Sequence, residues 1–245
     1  MNLIPAIDLM DGQCVRLFQG GFNAVTYYDF SPTDLANKYE EMGFSKLHIV
    51  DLDGSRKGFS NNSSVITEII KSSGLMVQLG GGIRSIGQIR EWIDIGVDRI
   101  ILGSYAIHNI NKLRNSLNDN ECSKLIIALD VLFKNNLPVV MTHGWQKSSG
   151  KSLWSLLKKF NQENFDNFLV TDISKDGTMI GPNIELYSNC IEYSPESRFT
   201  ASGGISNISD VIELSDVGLN STVTGKALLE NTITAEEIKQ FLRDE

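Results

Sequence analysis

The sequence predicts a single (β/α)8 barrel built from one half used twice, and two observations carry that expectation. Short β-rich runs alternate with helical patterns eight times along 245 residues, the count and size of such a barrel. An offset of 122 residues then lays the chain on itself. Ile4-Pro5-Ala6-Ile7-Asp8-Leu9 meets Ile126-Ile127-Ala128-Leu129-Asp130-Val131, and residues 78–109 meet 200–231 without a gap. In that stretch Gly81, Gly82, Gly103 and Asn109 fall on Gly203, Gly204, Gly225 and Asn231. Four βα units repeated once close into a twofold ring, with half-barrels at roughly 1–122 and 123–245. An open doubly wound sheet gives no reason for a half-length repeat.

The expected strands of the first half run near Leu3–Leu9, Lys46–Leu52, Met76–Leu79 and Arg99–Gly103. Those of the second run near Leu125–Asp130, Asn167–Thr171, Arg198–Ala201 and Ser221–Thr224. Gly, Asp or Ser bounds each run, as expected of buried parallel strands. Ser31-Pro32-Thr33-Asp34 opens the first helix with a cap residue and a first-turn proline, and Gly43 stops it. Further helices are expected near Val65–Ser72, Ile86–Ile95, Ile110–Leu117, Leu153–Phe160, Ile184–Tyr193, Ile208–Leu214 and Ala235–Leu242. Three long loops, Gln19–Phe30, Asp53–Asn62 and Leu132–Ser152, follow the first, second and fifth strands. That is the face on which barrel active sites sit. Within the last loop, Leu137–Met141 is β-like and suggests a small hairpin.

Composition narrows the function classes. The 41% apolar content is that of a soluble globular chain, and no run approaches the roughly 20 apolar residues of a membrane span. Met1-Asn2-Leu3-Ile4-Pro5 lacks a basic region and small-residue cleavage site, so a cytoplasmic protein is expected. Cys14, Cys122 and Cys190 are odd in number and form no CxxC, which argues against a disulfide framework. His48, His108 and His143 show no metal-ligand spacing, so no metal is expected. A net charge of -8 argues against nucleic acid. It also repels a phosphate ester in the far field, so local donors must hold one.

Such donors are present twice. Gly80-Gly81-Gly82-Ile83-Arg84-Ser85 ends the third strand and Ser202-Gly203-Gly204-Ile205-Ser206-Asn207 the seventh, each leading directly into a helix. Glycine lets the backbone approach an anion, and a helix N-terminus presents unsatisfied N–H groups. Gly103-Ser104 and Gly225-Lys226, ending the fourth and eighth strands, add a second set beside each. Two opposed sites suit two phosphates on one elongated small molecule. Asp8 and Asp130 each close an apolar run at the barrel mouth, on opposed strands, where partial desolvation raises a carboxylate pKa. One can take a proton while the other gives one. Asp51, Asp53, Thr171, Asp172 and Asp176 are further polar residues at strand ends; Arg16 is placed to reach a phosphate or the rim, and Trp145 to stack on a flat heterocycle or act as a lid.

These residues resemble the isomerases of histidine biosynthesis that act on phosphoribosylformimino-aminoimidazole-carboxamide ribonucleotide. The resemblance spans the chain. It rests on Pro5-Ala6-Ile7-Asp8-Leu9, Val15-Arg16-Leu17, Gln19-Gly20, Val50-Asp51-Leu52-Asp53-Gly54 and Val77-Gln78-Leu79-Gly80-Gly81-Gly82-Ile83-Arg84. It continues through Ala128-Leu129-Asp130, Gly144-Trp145, residues 171–178, Ala201-Ser202-Gly203-Gly204-Ile205 and Gly225-Lys226-Ala227-Leu228. It implies an Amadori rearrangement of an aminoaldose to an aminoketose without a cofactor, by an intramolecular oxidoreductase acting on a bisphosphate, as a monomer. The family's base falls on Asp8 and its acid on Asp130, with Thr171 and Asp176 as supporting groups and Asp176 as rival for the acid. Lys226 stands where the family often has arginine. The sister cyclase of the pathway shares the doubled barrel and opposed aspartates, but the first strand and Val15-Arg16-Leu17 resemble the isomerase version. A barrel that also isomerises phosphoribosyl anthranilate and a non-catalytic phosphosugar-binding barrel are the other readings.

Overall fold

The computed structural model describes residues 1–18 and 20–243. Gln19, which opens the first expected long loop and belongs to one motif of the resemblance, lies outside them, as do the last two residues of the expected domain. The strands in chain order are β1 (Asn2–Met10), β2 (Gln13–Phe18), β3 (Gly21–Tyr27), β4 (Lys46–Asp51), β5 (Met76–Gly80) and β6 (Arg99–Leu102). The second half supplies β7 (Leu125–Lys134), β8 (Leu137–Thr142), β9 (Lys147–Ser152), β10 (Asn167–Asp172), β11 (Arg198–Ser202) and β12 (Ser221–Thr224). Between them run α1 (Pro32–Glu41), α2 (Leu52–Lys57), α3 (Ser63–Ser72), α4 (Ile86–Ile95), α5 (Ser104–Ser116) and α6 (Asp119–Ser123). After β9 come α7 (Leu153–Gln162), α8 (Ile184–Tyr193), α9 (Ile208–Asp216), α10 (Lys226–Leu229) and α11 (Ala235–Arg243). None of these helices is long and apolar enough to cross a membrane.

Eight strands pair in parallel around a closed ring, in the order β1, β4, β5, β6, β7, β10, β11, β12 and back to β1. The predicted barrel is the fold. Alternation along each strand divides the core into two layers. Ile4 and Ala6 of β1 join Ile101, Ile126, Ala128, Leu169 and Val223 inside the barrel. Leu3, Ile7 and Leu9 belong with Ile127, Leu129 and Val131 to the larger core between sheet and helices. Continuing the inward series by one step puts Asp8 above Ala6 and Asp130 above Ala128. The strands β1 and β7 lie diametrically opposite, with three strands between them each way round the ring.

Three expectations need correction. The Gln19–Phe30 loop is, over its described residues, mostly strand: β2 turns back on β1 through Asp11-Gly12, and β3 pairs with β2 from Val15↔Tyr27 to Leu17↔Val25. Asp11 and Gly12 have φ of 49° and 77°, the conformation that an Asp-Gly hairpin turn requires. The Asp53–Asn62 loop begins with α2, because Asp51 caps it by accepting from the Gly54 N–H at 3.0 Å. The helix expected at Ile110–Leu117 starts at Ser104, with non-helical backbone at Asn109 inside it. Both glycine-rich runs lead directly into their helices as expected, with their last residues, Ser85 and Asn207, as the caps of α4 and α9. The suggested hairpin in the fifth loop is present and larger, with β8 pairing both β7 and β9. Both aspartate-bearing strands therefore overrun the barrel and fold back as antiparallel hairpins.

Candidate active site

A cavity of about 440 Å³ opens at the C-terminal ends of the barrel strands. Asp8, Arg16, Asp130, Trp145, Thr171 and Asp176 all line it. So do Gly81, Gly82, Gly103 and Ser104 on one side, and Gly203, Gly204, Gly225 and Lys226 on the other. The catalytic, phosphate-binding and substrate-binding candidates thus reach one space, whereas Asp51, Asp53 and Asp172, named as further polar residues at strand ends, do not line it.

The two aspartates have different partners. Arg16, from β2, donates through Nη1 to Asp8 Oδ2 at 3.1 Å and through Nη2 to Asp176 Oδ1 at 2.7 Å. Arg16 therefore sits between two carboxylates, with Nη1 also beside Gly225 at one of the expected phosphate ends. Burial alone would weaken its cation, and the carboxylates more than restore it. Burial also holds the Asp8 carboxyl above the usual range; Arg16 opposes that and the charge of Asp176 adds to it. Across the barrel, the indole N–H of Trp145 donates to Asp130 Oδ2 at 2.9 Å. Burial raises the Asp130 pKa, against hydrogen bonds from Trp145 and Thr171, which sits beside Asp130 in the β7–β10 register. The Trp145 ring also lies against Gly20, between β2 and β3, where an added Cβ would meet the indole Cδ2 at 3.3 Å.

The glycine pairs repeat in conformation as well as in sequence. Gly81 and Gly82 have φ of 103° and 73°, Gly203 and Gly204 of 94° and 90°, values open to glycine but strained for other residues. A Cβ on Gly81 would strike the Asp51 carbonyl, and one on Gly203 would come within 3.2 Å of the Asp172 carbonyl. The N–H groups of Arg84 and Ser206 are taken by Gln88 Oε1 at 2.8 Å and Asp210 Oδ2 at 2.7 Å, so donors for a ligand must come from elsewhere in each turn. Gly103 and Gly225 stand at the N-caps of α5 and α10. Lys226 Nζ meets the Gly177 carbonyl at 3.1 Å, which ties it to the loop that carries Asp176.

Three features escaped the sequence reading. His48 lines the same cavity from β4, with Nδ1 2.8 Å from Gln78 Nε2. Burial, helped by Arg16, pushes its pKa down to about 4. A lone histidine inside an apolar strand was its only signal. Asp51 and Asp172 are structural: Asn62 donates to Asp51 Oδ1 and Asn183 to Asp172 Oδ2, both at 2.7 Å. This second internal repeat has an offset of 121 residues, one short of the main one. Asp53 is occupied likewise, by the Asp11 N–H, Lys57 and Asn62. Among the described residues, no group of three or more His, Cys, Asp or Glu side chains could hold a metal ion.

The profile of the histidine biosynthesis protein family matches residues 2–234. The chain belongs to that family. A relative from Francisella philomiragia is 39% identical over 237 residues, covering 97% of this chain and 98% of its own. One from Elusimicrobium minutum is 40% identical over 237 residues, with 97% and 98% covered. One from Streptococcus thermophilus is 35% identical over 241 residues, with 98% and 99% covered. All three are named as isomerases of an imidazole-4-carboxamide that carries a 5-phosphoribosyl and a 5-phosphoribosylamino-methylideneamino group. In this family member, the halves that repeat in sequence each place one aspartate and one glycine-rich turn at the same cavity.

Proposed function

We propose that the chain isomerises this doubly phosphoribosylated imidazole-carboxamide, converting its aminoaldose arm to an aminoketose by an Amadori rearrangement. The observation that carries the reading is the pair of opposed, buried carboxylates with unlike partners in one cavity. Asp8 has a guanidinium beside it that favours the carboxylate, so it is the base. Asp130 has only neutral hydrogen-bond donors beside it and is the acid. Protonation at the ribose ring oxygen opens the sugar. Asp8 then takes the C2 proton, and the enol collapses to the ketose. Each proton transfer contributes about 10²–10⁴-fold in rate.

The glycine turns at Gly81–Gly82 with Gly103–Ser104, and at Gly203–Gly204 with Gly225–Lys226, are read as holding the two phosphates. That arrangement suspends the reacting sugar between the aspartates. The same reading takes the chain as one domain of two half-barrels, roughly 1–122 and 123–245, acting as a cytoplasmic monomer without nucleic-acid or membrane partners. Thr171 supports Asp130, and Asp176 acts through Arg16. The decisive test is complementation of a histidine auxotroph lacking this isomerase, with Asp8→Asn and Asp130→Asn as controls. Growth with the parent and none with either variant is expected; parental turnover in both variants removes the acid–base reading. Ammonia-dependent turnover with a glutaminase subunit would instead identify the sister cyclase.

A further inference from the structure

The two ends read above as phosphate sites differ in their side chains. The 122-residue offset that matches their glycines puts Ser104 where the second half has Lys226, and His108 where it has Glu230. The first end therefore lacks the lysine. Arg84, beside its glycine pair, also lines the cavity, but its Nη2 is engaged by the Ser55 carbonyl at 2.7 Å. Two imidazoles line the cavity there instead: His108 from α5, one turn after Ser104, and His143 from the turn after β8. Their ring centroids are 6.0 Å apart, a gap that one phosphate group can span with a hydrogen bond to each ring.

The backbone holds this pair against the N-terminus of α5. The His143 N–H donates to Ser104 Oγ at 2.8 Å, which leaves the Ser104 hydroxyl proton to point elsewhere. The buried Thr142 hydroxyl donates to the Lys147 carbonyl at 3.2 Å, so its oxygen accepts from His143 Nδ1 at 3.0 Å. Nε2 is the ring atom left for a ligand. It donates as the imidazolium, and a phosphate dianion makes that bond charge-assisted. We propose that His108 and His143 are side-chain ligands of the phosphate monoester at the Gly81–Gly82 and Gly103–Ser104 end, in the place that Lys226 holds at the other. The assignment rests on the bisphosphate reading given above.

The chain has three histidines, so ring nitrogen NMR spectra are simple, and buried His48 serves as reference. Titrating inorganic phosphate into the full chain should move the His108 and His143 ring signals and leave His48 in place. If both mouth signals stay still throughout, the assignment is overturned whatever the enzyme's substrate. Kinetics give a second reading. His108→Ala and His143→Ala should each raise KM for the imidazole-carboxamide substrate about tenfold, the loss of one hydrogen bond to a charged group, and by more than any fall in kcat. Both rings are exposed, and melting curves show whether the variants fold. Unchanged KM in both, with an active parent, removes the histidines and leaves the isomerase standing. An inactive parent removes the isomerase reading, and the phosphate titration still decides on the histidines.

Discussion

Nη1 of Arg16 lies 3.1 Å from Oδ2 of Asp8, and no residue plays that part for Asp130, whose described side-chain partners are the neutral Trp145 and Thr171. The halves repeat the carboxylate and the strand beneath it, but only the first adds a cation. On the proposed reading, that difference separates the base from the acid in an otherwise twofold site.

Removing the cation tests the base. Burial already lifts the Asp8 pKa and Arg16 pulls it back, so Arg16→Gln lets it rise further. A base must be ionised to act, and the acidic limb of the kcat/KM profile should move up by roughly 1–2 pH units. A limb that stays in place separates Asp8 from that ionisation.

Asp130→Asn should trade activity for stability. The carboxyl is raised above its unfolded value by burial. Its stabilising contribution is therefore present below the unfolded pKa and lost as pH rises through the folded one. At pH 7 the ionised, buried group costs the fold, and an amide of the same shape avoids the cost. Urea melts at pH 7 should show a gain of about 1 kcal/mol, while kcat falls about 10²–10⁴-fold. If Asp176→Asn loses that much kcat and Asp130→Asn does not, the acid role passes to Asp176.

Trp145→Phe keeps an aromatic ring against Gly20 and deletes the N–H that holds Asp130. The loss of a donor to the carboxylate raises the Asp130 pKa again. The basic limb of the pH–rate profile should move to higher pH by about half a unit to one unit. An unmoved limb would show that the indole serves only as a cover.

Asn62→Ala and Asn183→Ala test the hidden repeat. Each removes a donor from a buried aspartate, with an expected loss of about 1–3 kcal/mol. Asn62→Ala should cost more, because Asn62 also donates to Asp53 and accepts from the Gly12 N–H at 2.8 Å. Denaturant midpoints that rank the two in the opposite order contradict the accounting. Because Gly81 and Gly203 rest on the Asp51 and Asp172 backbones, both variants should also raise KM.

His48 reports on pH and stability. Its folded pKa of about 4 is below the ordinary value of about 6.5. It therefore adds stability above pH 6.5 or so that is lost as pH falls toward 4, by up to about 3 kcal/mol. His48→Gln should flatten that stretch of a stability–pH curve measured by urea unfolding.

The eight parallel strands, the aspartate positions and the glycine pairs were legible because each is written locally. The first hairpin was missed although Asp11-Gly12 marks its turn with positive φ; the second, suggested by Leu137–Met141, proved larger, with its turn at Asn135-Asn136. Val15, Leu17 and Val25 alternate as a strand does, but glycines and polar residues around residue 20 masked the pattern. The Asn62–Asp51 and Asn183–Asp172 pairs were missed because one residue of slippage puts them out of step with the main repeat.

By itself the sequence determined a doubled barrel, with one aspartate and one glycine-rich turn per half at the same end. Period-two alternation and internal repetition are properties of neighbouring residues, and they set which side chains point inward. Only the tertiary structure decided what those aspartates meet. Arg16 joins Asp8, 8 residues away, to Asp176, 160 residues away, while Trp145 reaches back 15 residues to Asp130. Such contacts exist only once the ring has closed and each hairpin has folded over the mouth. Their effect on the carboxylates comes from burial in that enclosed space, which no stretch of sequence contains.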